Sequence, residues 1–334
     1  MAIIRTRLQW VLFGLFLIFL ATFPLYSSRS VLGLANIIGI MVIAATGLNI
    51  LTGYCGQLSI GHAGFIAVGA YASAIIMKAG APFLVGLLGA GVIAGLVGLV
   101  FGIPSLRVRG FYLAISTVAA QFIIIWVINH WTGLTGGFMG MKVPYADIFG
   151  FSFDSDRSQF YLVFVIAAIC IFFAKNLART RVGRAFVAIR DNDLAAQVMG
   201  INLFYYKLLA FFIGCFLAGI AGSLTAHLVG FISTENFTFG DSILYVGMII
   251  IGGLGTTIGP ILGVTLLRLL DWGVTQLTPA LQSTFPALSS GFTTGIAPML
   301  FGLVIILFLV FEPRGLAHRW ALFKASYRLW PFSF

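Results

Sequence analysis

Charge is what this 334-residue sequence has least of: 8% of its residues are charged and only nine are acidic. A water-facing globular surface needs roughly 25% charged residues. The shortage excludes a soluble domain of this length and leaves lipid as the main solvent. Cysteine is also scarce. Cys55, Cys170 and Cys215 lie in or beside apolar runs at spacings that match no metal motif, so they read as small buried residues. The four histidines (His62, His130, His227 and His318) are scattered over different segments, and no motif assembles a nucleophile with a base or a metal cluster. There is no G-x-x-x-x-G-K-[ST] phosphate loop, so no nucleotide site is expected in the chain itself.

What is present is apolar length. Hydrophobic residues make up 60% of the chain, and a helix that crosses a bilayer needs about 20 of them in a row. Apolar runs fall at about 9–26, 31–51, 61–79, 83–103, 111–130, 160–175, 203–228, 241–253, 256–276 and 294–311. The eighth is too short to be a simple span. Barrel strands alternate apolar with polar residues, whereas these runs are apolar all round. The expectation is an all-α polytopic transmembrane helix bundle of about ten crossings with broken or short helices, forming one transmembrane domain over 1–334.

The net charge of +10 is a topology signal and does not predict nucleic-acid binding. With the N-terminus inside, the cytoplasmic side receives Arg5, Arg7, Arg107, Arg109, Lys175, Arg179, Arg181, Arg184, Arg190, Arg314, Arg319, Lys324 and Arg328. The opposite side receives only Arg29, Lys78, Lys142 and Arg157. That bias is the positive-inside pattern, and it puts both termini in the cytoplasm. The first apolar run, about 17 residues, exceeds the core of a usual signal peptide and is expected to be a retained helix.

Small residues recur at helical spacing. Gly91, Gly95, Gly98 and Gly102 share one face of a helix, and Gly214, Ala218, Gly222 and Ala226 share another. Such faces let helix backbones approach closely in lipid. Arg268 and Asp271, three apart, are placed to pair near the external end of their span. Gln121 is expected to bond between helices, and Lys207 at a helix start to snorkel. The nine acidic residues fall in loops or near span ends, with none expected in mid-span. The external segment 131–159, with "TGLTGGFMGMKVP" and three aspartates, either docks a partner or caps the bundle.

Two glycine-rich stretches interrupt the apolar runs. "GYCGQLSIGHAGF" at 53–65 carries Gln57, Ser59 and His62, and "IGGLGTTIGP" at 251–260 carries Thr256 and Thr257. Irregular backbone at membrane depth is tolerated where it is buried or lines a wet cavity, and transporters place sites at such breaks. Two alternatives stand open for the first stretch: a polar turn at the cytoplasmic surface, or a lining of a translocation path together with the second. His62 among glycines fits a hydrogen-bonded structural group better than a proton carrier.

The cytoplasmic segment 176–202 contains "RDNDLAAQVMG". Asp191 or Asn192 can cap a short helix over Leu194–Met199 that Gly200 ends. A helix lying on the membrane surface would explain the basic flanks. The order Ala195-Ala196, three residues, Gly200 resembles the Glu-Ala-Ala…Gly motif of permease subunits in binding-protein-dependent ABC importers, with Leu194 in the Glu position. Six stretches in order, "GYCGQLSIGHAGFIAVGAYASA", "LRVRGFYLAISTVA", "TGGFMGM", "RTRVGRAFVAIRDNDLAAQVMGIN", "GGLGTTIGPILG" and "FEPRGL", resemble the permeases of branched-chain amino-acid ABC importers of the LivM type.

The resemblance implies a subunit of a bacterial plasma-membrane importer that moves branched-chain amino acids inward and is not itself an enzyme. It implies a second homologous permease, two ABC ATPase subunits that hold ATP and magnesium, and a periplasmic or lipid-anchored substrate-binding protein. The short helix would then be a coupling helix seated on an ATPase, with Ala195, Ala196 and Gly200 in contact and Arg184, Arg190, Asp191 and Asp193 fixing its register. No cofactor is implied in this chain. Relatives in the resembled family take urea, short amides or other amino acids, so the cargo has an alternative within the same class. An ion-coupled carrier working alone, which usually keeps an ionisable residue inside the membrane, is the rival outside it.

Overall fold

A computed structural model describes residues 20, 22–105, 110–148, 150–284, 290–312 and 314–329. Most of the expected first segment 9–26, and Arg5, Arg7, Arg107 and Arg109, lie outside the described residues. The chain is a helix bundle. Helix α1 (Arg29–Leu48) runs into a π-helical turn (Asn49–Tyr54), and α2 (His62–Lys78), α3 (Phe83–Ser105) and α4 (Phe111–His130) follow. A short α5 (Thr132–Thr135) leads through strands β1 (Met141–Lys142), β2 (Ala146–Ile148) and β3 (Phe151–Phe153) to α6 (Asp156–Leu177). Then come α7 (Arg181–Asp191), α8 (Asp193–Val198), α9 (Leu203–Val229), β4 (Phe231–Ile232) and α10 (Phe239–Gly252). The last helices are α11 (Gly259–Thr284), α12 (Ser290–Phe311) and α13 (Leu316–Leu329).

Every expected apolar run from the second onward falls on one of these helices. Among the described residues, five helical segments are long and apolar enough to cross a membrane: Arg29–Tyr54, Phe83–Pro104, Phe111–His130, Asp156–Leu177 and Leu203–Val229. Their outer faces expose Leu88, Leu96 and Val100 on α3 and Phe122, Ile123 and Trp126 on α4. Water would not tolerate such a belt, and acyl chains do. The chain is therefore a multi-pass membrane protein.

Helix α9 is the spine, packed by α1, α2 and α3. The small-residue faces meet there. A Cβ added at Gly91, Gly95 or Gly98 would meet Phe216, Phe212 or Cys215 of α9, all closer than 3 Å. On the other side of α9, Gly222 rests directly on the Ile66 carbonyl of α2. Side-chain hydrogen bonds fix the register of these contacts. Ser223 Oγ donates to Ser73 Oγ (2.8 Å), Ser73 Oγ to His227 Nε2 (3.0 Å), and His227 Nδ1 to the Pro144 carbonyl (2.8 Å). Gln121 does bond between helices: Ser242 Oγ donates to its Oε1 (2.8 Å) and accepts from Ala63 N (2.9 Å).

Segment 131–159 caps one end of the bundle. Strand β1 pairs with β4 antiparallel, Met141 opposite Ile232, and β2 pairs with β3. These strands of two or three residues are absent from an all-helical expectation, because runs so short carry no periodicity. Helix α11 extends past the expected end at 276. Arg268 and Asp271 do pair (2.9 Å), but near the middle of that helix and not at its external end, so Asp271 is a mid-helix carboxylate that the loop-and-end expectation did not contain. Lys207 lies near the start of α9, its ammonium 3.6 Å from the Asp193 carboxylate.

A side chain at Gly222 has no space, and overpacking of this kind costs about 1–3 kcal/mol. Gly222→Val is expected to lower the thermal unfolding midpoint in detergent by several degrees. Gly273→Ala, where an added Cβ has nothing within 4 Å, is expected not to lower it.

Candidate functional site

The two glycine-rich stretches come together, although some 200 residues separate them. Helix α1 ends in its π-turn, and α2 does not begin until His62; α10 ends at Gly252, and α11 begins at Gly259. Each break leaves peptide groups without helical partners, which is tolerable in a membrane only if something else bonds them. Asn49, on the π-turn, does this for the second break. Its Nδ2 donates to the Thr256 carbonyl (2.8 Å) and its Oδ1 accepts from Gly255 N (2.9 Å). Tyr54 Oη and Thr257 Oγ1 share a hydrogen bond of 3.2 Å. Thr256 Oγ1 accepts from Gly259 N (3.0 Å) and donates to the Gly253 carbonyl (2.8 Å), closing the turn. Gly53 lies flat against Gly255 N and the Asn49 side chain, where a Cβ would overlap both.

A third element enters from segment 176–202. Arg190, at the end of α7, donates from Nη1 to the Gly53 carbonyl (3.0 Å). Its aliphatic stem lies on Gly56, and Nη1 would be 2.8 Å from a Cβ at Gly255. The Nε and Nη2 groups both go to Asp191 Oδ1 (3.0 and 2.9 Å). Arg190 therefore clasps both breaks at once, held in orientation by the neighbouring carboxylate.

The remaining expected residues separate into three groups. Gln57, Ser59 and His62 are buried, which does not fit a water-exposed turn. His62 Nε2 donates to the Ala44 carbonyl (2.9 Å) and its ring stands edge-on to Tyr245. Neither amide atom of Gln57, nor Ser59 Oγ, has a hydrogen-bond partner among the described residues. Arg184 is apart from the clasp, donating to the Arg179 carbonyl (3.2 Å).

The third group is α8. Asn192 caps it, its Oδ1 accepting from Ala195 N (3.0 Å), and Gly200 ends it with a left-handed φ of 83°. Ala195 and Gly200 are exposed, whereas Ala196 is buried in the chain's own core. Ala196 seats α8 on the permease side. The outward face is instead Leu194, Val198 and Met199, the last two 89% and 83% exposed. Asp193 ties α8 to α9 through Lys207.

Sequence reasoning missed Asn49, Tyr54, Val198 and Met199. Only one signal for them was present: Asn49 is a carboxamide inside an otherwise apolar run, and such a group in lipid must bond something. Among the described residues no group of three His, Cys, Asp or Glu side chains is placed to hold a metal.

Apolar helices broken and bonded to each other at the breaks, with a helix pair bonded to the same breaks, have the construction of a membrane transport protein. The family described as "Branched-chain amino acid transport system / permease component" matches residues 30–311, and the chain belongs to that family. It is 34% identical over 277 residues to the high-affinity branched-chain amino acid transport system permease protein LivM of Escherichia coli, covering 75% of this chain and 65% of that protein. The probable LivM of Methanocaldococcus jannaschii is 27% identical over 234 residues, 68% of this chain and 66% of that protein. The autoinducer 2 import system permease protein LsrC of Salmonella typhimurium is 29% identical over 198 residues, 57% of this chain and 50% of that protein. The chain thus spans just under two thirds of the length of the first of these relatives. No solved structure matches it.

Asn49→Ala would leave Gly255 N and the Thr256 carbonyl without their partner, at roughly 1–3 kcal/mol for each stranded group. Amide hydrogen exchange across residues 253–258 is expected to rise at least tenfold in this variant. Unchanged exchange would show that the second break holds itself closed.

Proposed function

We propose that the chain is the membrane-spanning permease subunit of an ABC importer that moves branched-chain amino acids inward, powered by ATP hydrolysed on partner subunits. Membership of the family and the printed names of the LivM relatives support the cargo. The proposed assembly holds a second homologous permease, two ABC ATPases and an external substrate-binding protein, periplasmic or lipid-anchored. It sits in the bacterial inner membrane, with about ten crossings, both termini in the cytoplasm, and one permease domain over the whole chain.

The observation that carries the mechanism is α8. It presents Leu194, Val198 and Met199 outward and is bonded inward twice, by Asp193 to the spine α9 and through adjoining α7 by Arg190 to the broken helices. An apolar ridge of Leu194, Val198 and the C-cap residue Met199 fits a hydrophobic groove on a partner. In this reading the ATPase moves α8, and the Arg190 clasp carries that motion to Gly53 and Gly255. Gln57, Ser59, Thr256 and Thr257 line the path when the clasp shifts, and the unbonded polar atoms of Gln57 and Ser59 find partners in that state. His62 stays bonded to Ala44 at the edge of the path. Arg184 and Asp191 contribute charge at the docking surface, beside Ala195 and Gly200.

The test is uptake of labelled leucine, with urea in parallel, by proteoliposomes holding the chain with its neighbouring permease, ATPases and binding protein. ATP-dependent leucine uptake is expected. Val198→Asp with Met199→Asp should cut it at least tenfold by weakening ATPase binding. Arg190→Ala should leave ATP hydrolysis running while uptake falls. Urea uptake without leucine would overturn the cargo, and uptake by the chain alone on an ion gradient would overturn the class.

A further inference from the structure

Between α1, α2, α9, α10 and α11 lies a cavity of about 460 Å³ that none of the preceding sections uses. Its volume lies in the range of ligand pockets, roughly 300–1,000 Å³. Most of its wall is apolar, including Ile37 and Ile40 of α1, Ile66 of α2 and Leu228 of α9. Set into this wall are Arg268, Asp241 and, from the start of α6, Asp156, so that two acidic residues and one basic residue line the cavity. Tyr245, one turn from Asp241 on the same face of α10, lies within electrostatic reach of Arg268 and Asp241.

Arg268 sits at the tenth position of α11, about 14 Å along that helix. An ionisable residue at such depth is costly and points to function. Pairing with Asp271 does not use up its guanidinium. Nη1 donates to Asp271 Oδ2 (2.9 Å) and Nε to Met41 Sδ (2.8 Å), and none of the described residues takes the Nη2 donors. Asp241 spends Oδ2 on its capping box with Thr238, and Oδ1 accepts from none of the described residues. The cavity therefore offers a planar cationic fork, a carboxylate oxygen and a branched-aliphatic wall within one enclosure.

We infer that this cavity is a binding site for a free amino acid in its zwitterionic form, with Arg268 on the α-carboxylate, Asp241 on the α-ammonium group and the Ile37, Ile40, Ile66 and Leu228 wall around an aliphatic side chain. The inference rests on the importer reading above and names a station for the cargo inside the permease. Neither an acyl chain nor an uncharged amide would need both charges. A carboxylate on arginine is held in a forked geometry that a lysine would not impose.

The test is equilibrium binding of labelled L-leucine to the purified full chain in lipid nanodiscs, beside two analogues: 3-methylbutylamine, which lacks the carboxylate, and 4-methylpentanoate, which lacks the ammonium group. Leucine is expected to bind more tightly than either. Arg268→Gln with Asp271→Asn, which keeps α11 neutral, should weaken leucine roughly 10- to 100-fold and leave 3-methylbutylamine unchanged. Asp241→Asn, which retains a capping oxygen, should weaken leucine similarly and leave 4-methylpentanoate unchanged. Ile66→Trp, which touches neither charge, should abolish binding of all three by filling the space. Leucine binding that is unaffected by any of these variants, or that only matches the analogues, overturns the site. If the assembled importer carries leucine while the wild-type chain binds none, the cavity inference falls and the importer stands. If the cavity binds leucine and the importer carries none, the transport reading falls and the cavity stands.

Discussion

A peptide group that leaves a helix inside a bilayer has no water to turn to, and the rest of this structure is arranged around that constraint. Two helices are interrupted at the same level, after Tyr54 and after Gly252, and the groups set free are bonded across the gap between them. Asn49 is the central donor and acceptor, its single carboxamide taking both a carbonyl and an N–H of the second break. The π-turn that carries it belongs with this role, since π-helical turns recur where a helix must present a side chain out of register. Glycine at 53 and 255 lets the two backbones touch, and only then does Arg190 reach the Gly53 carbonyl.

The packing around the breaks follows the same logic. In lipid, hydrophobicity gives helices no reason to prefer one another over acyl chains, so small residues and hydrogen bonds decide who neighbours whom. Helix α9 presents glycine and alanine toward α1 and α2, and accepts the glycine face of α3 on Phe212, Cys215 and Phe216. Polar side chains then lock the register: Ser73 with Ser223 and His227 toward the strand cap, Gln121 with Ser242 between α4 and α10. Against these bonded groups stand buried polar atoms with no partner among the described residues, on Asn36, Gln57, Ser59, His62, Tyr71 and Gln159, and Gln57, Ser59 and His62 fall together between the π-turn and α2.

Much of this was legible in the chain. Apolar run length located the long helices from 29 onward, α11 excepted, to within a few residues, because lipid imposes a length and forbids polar interruptions; α5, α7 and α13 carry no such run and were not foreseen. Capping chemistry placed α8, with Asn192 at its start and Gly200 past its end, and helical spacing paired Arg268 with Asp271. What sequence could not carry was the contact map. That 53–56 and 253–259 share one site is a tertiary fact, and Asn49 looked like an isolated polar residue in an apolar run. Ala196 and Val198 are two apart on a short helix, so composition alone does not say which faces inward. Helix α11 was read as ending at 276, eight residues before its end at Thr284, and that shifted the Arg268 pair toward one end of the helix.

Helix α9 has 27 residues, which makes a rod of about 40 Å, some 10 Å more than a hydrocarbon core of about 30 Å. Both of its ends are tied to what lies outside that core. Lys207 meets Asp193 of α8 at one end; at the other, His227 holds the Pro144 carbonyl and the Gly230 carbonyl accepts from Val143 N. An uninterrupted helix cannot stretch, so a displacement applied to α8 at one surface must emerge at the strand cap on the opposite one. Helix α8 and the strand cap are thus joined through one rigid rod, and the backbone freedom of the bundle lies beside it, at the breaks after Tyr54 and Gly252.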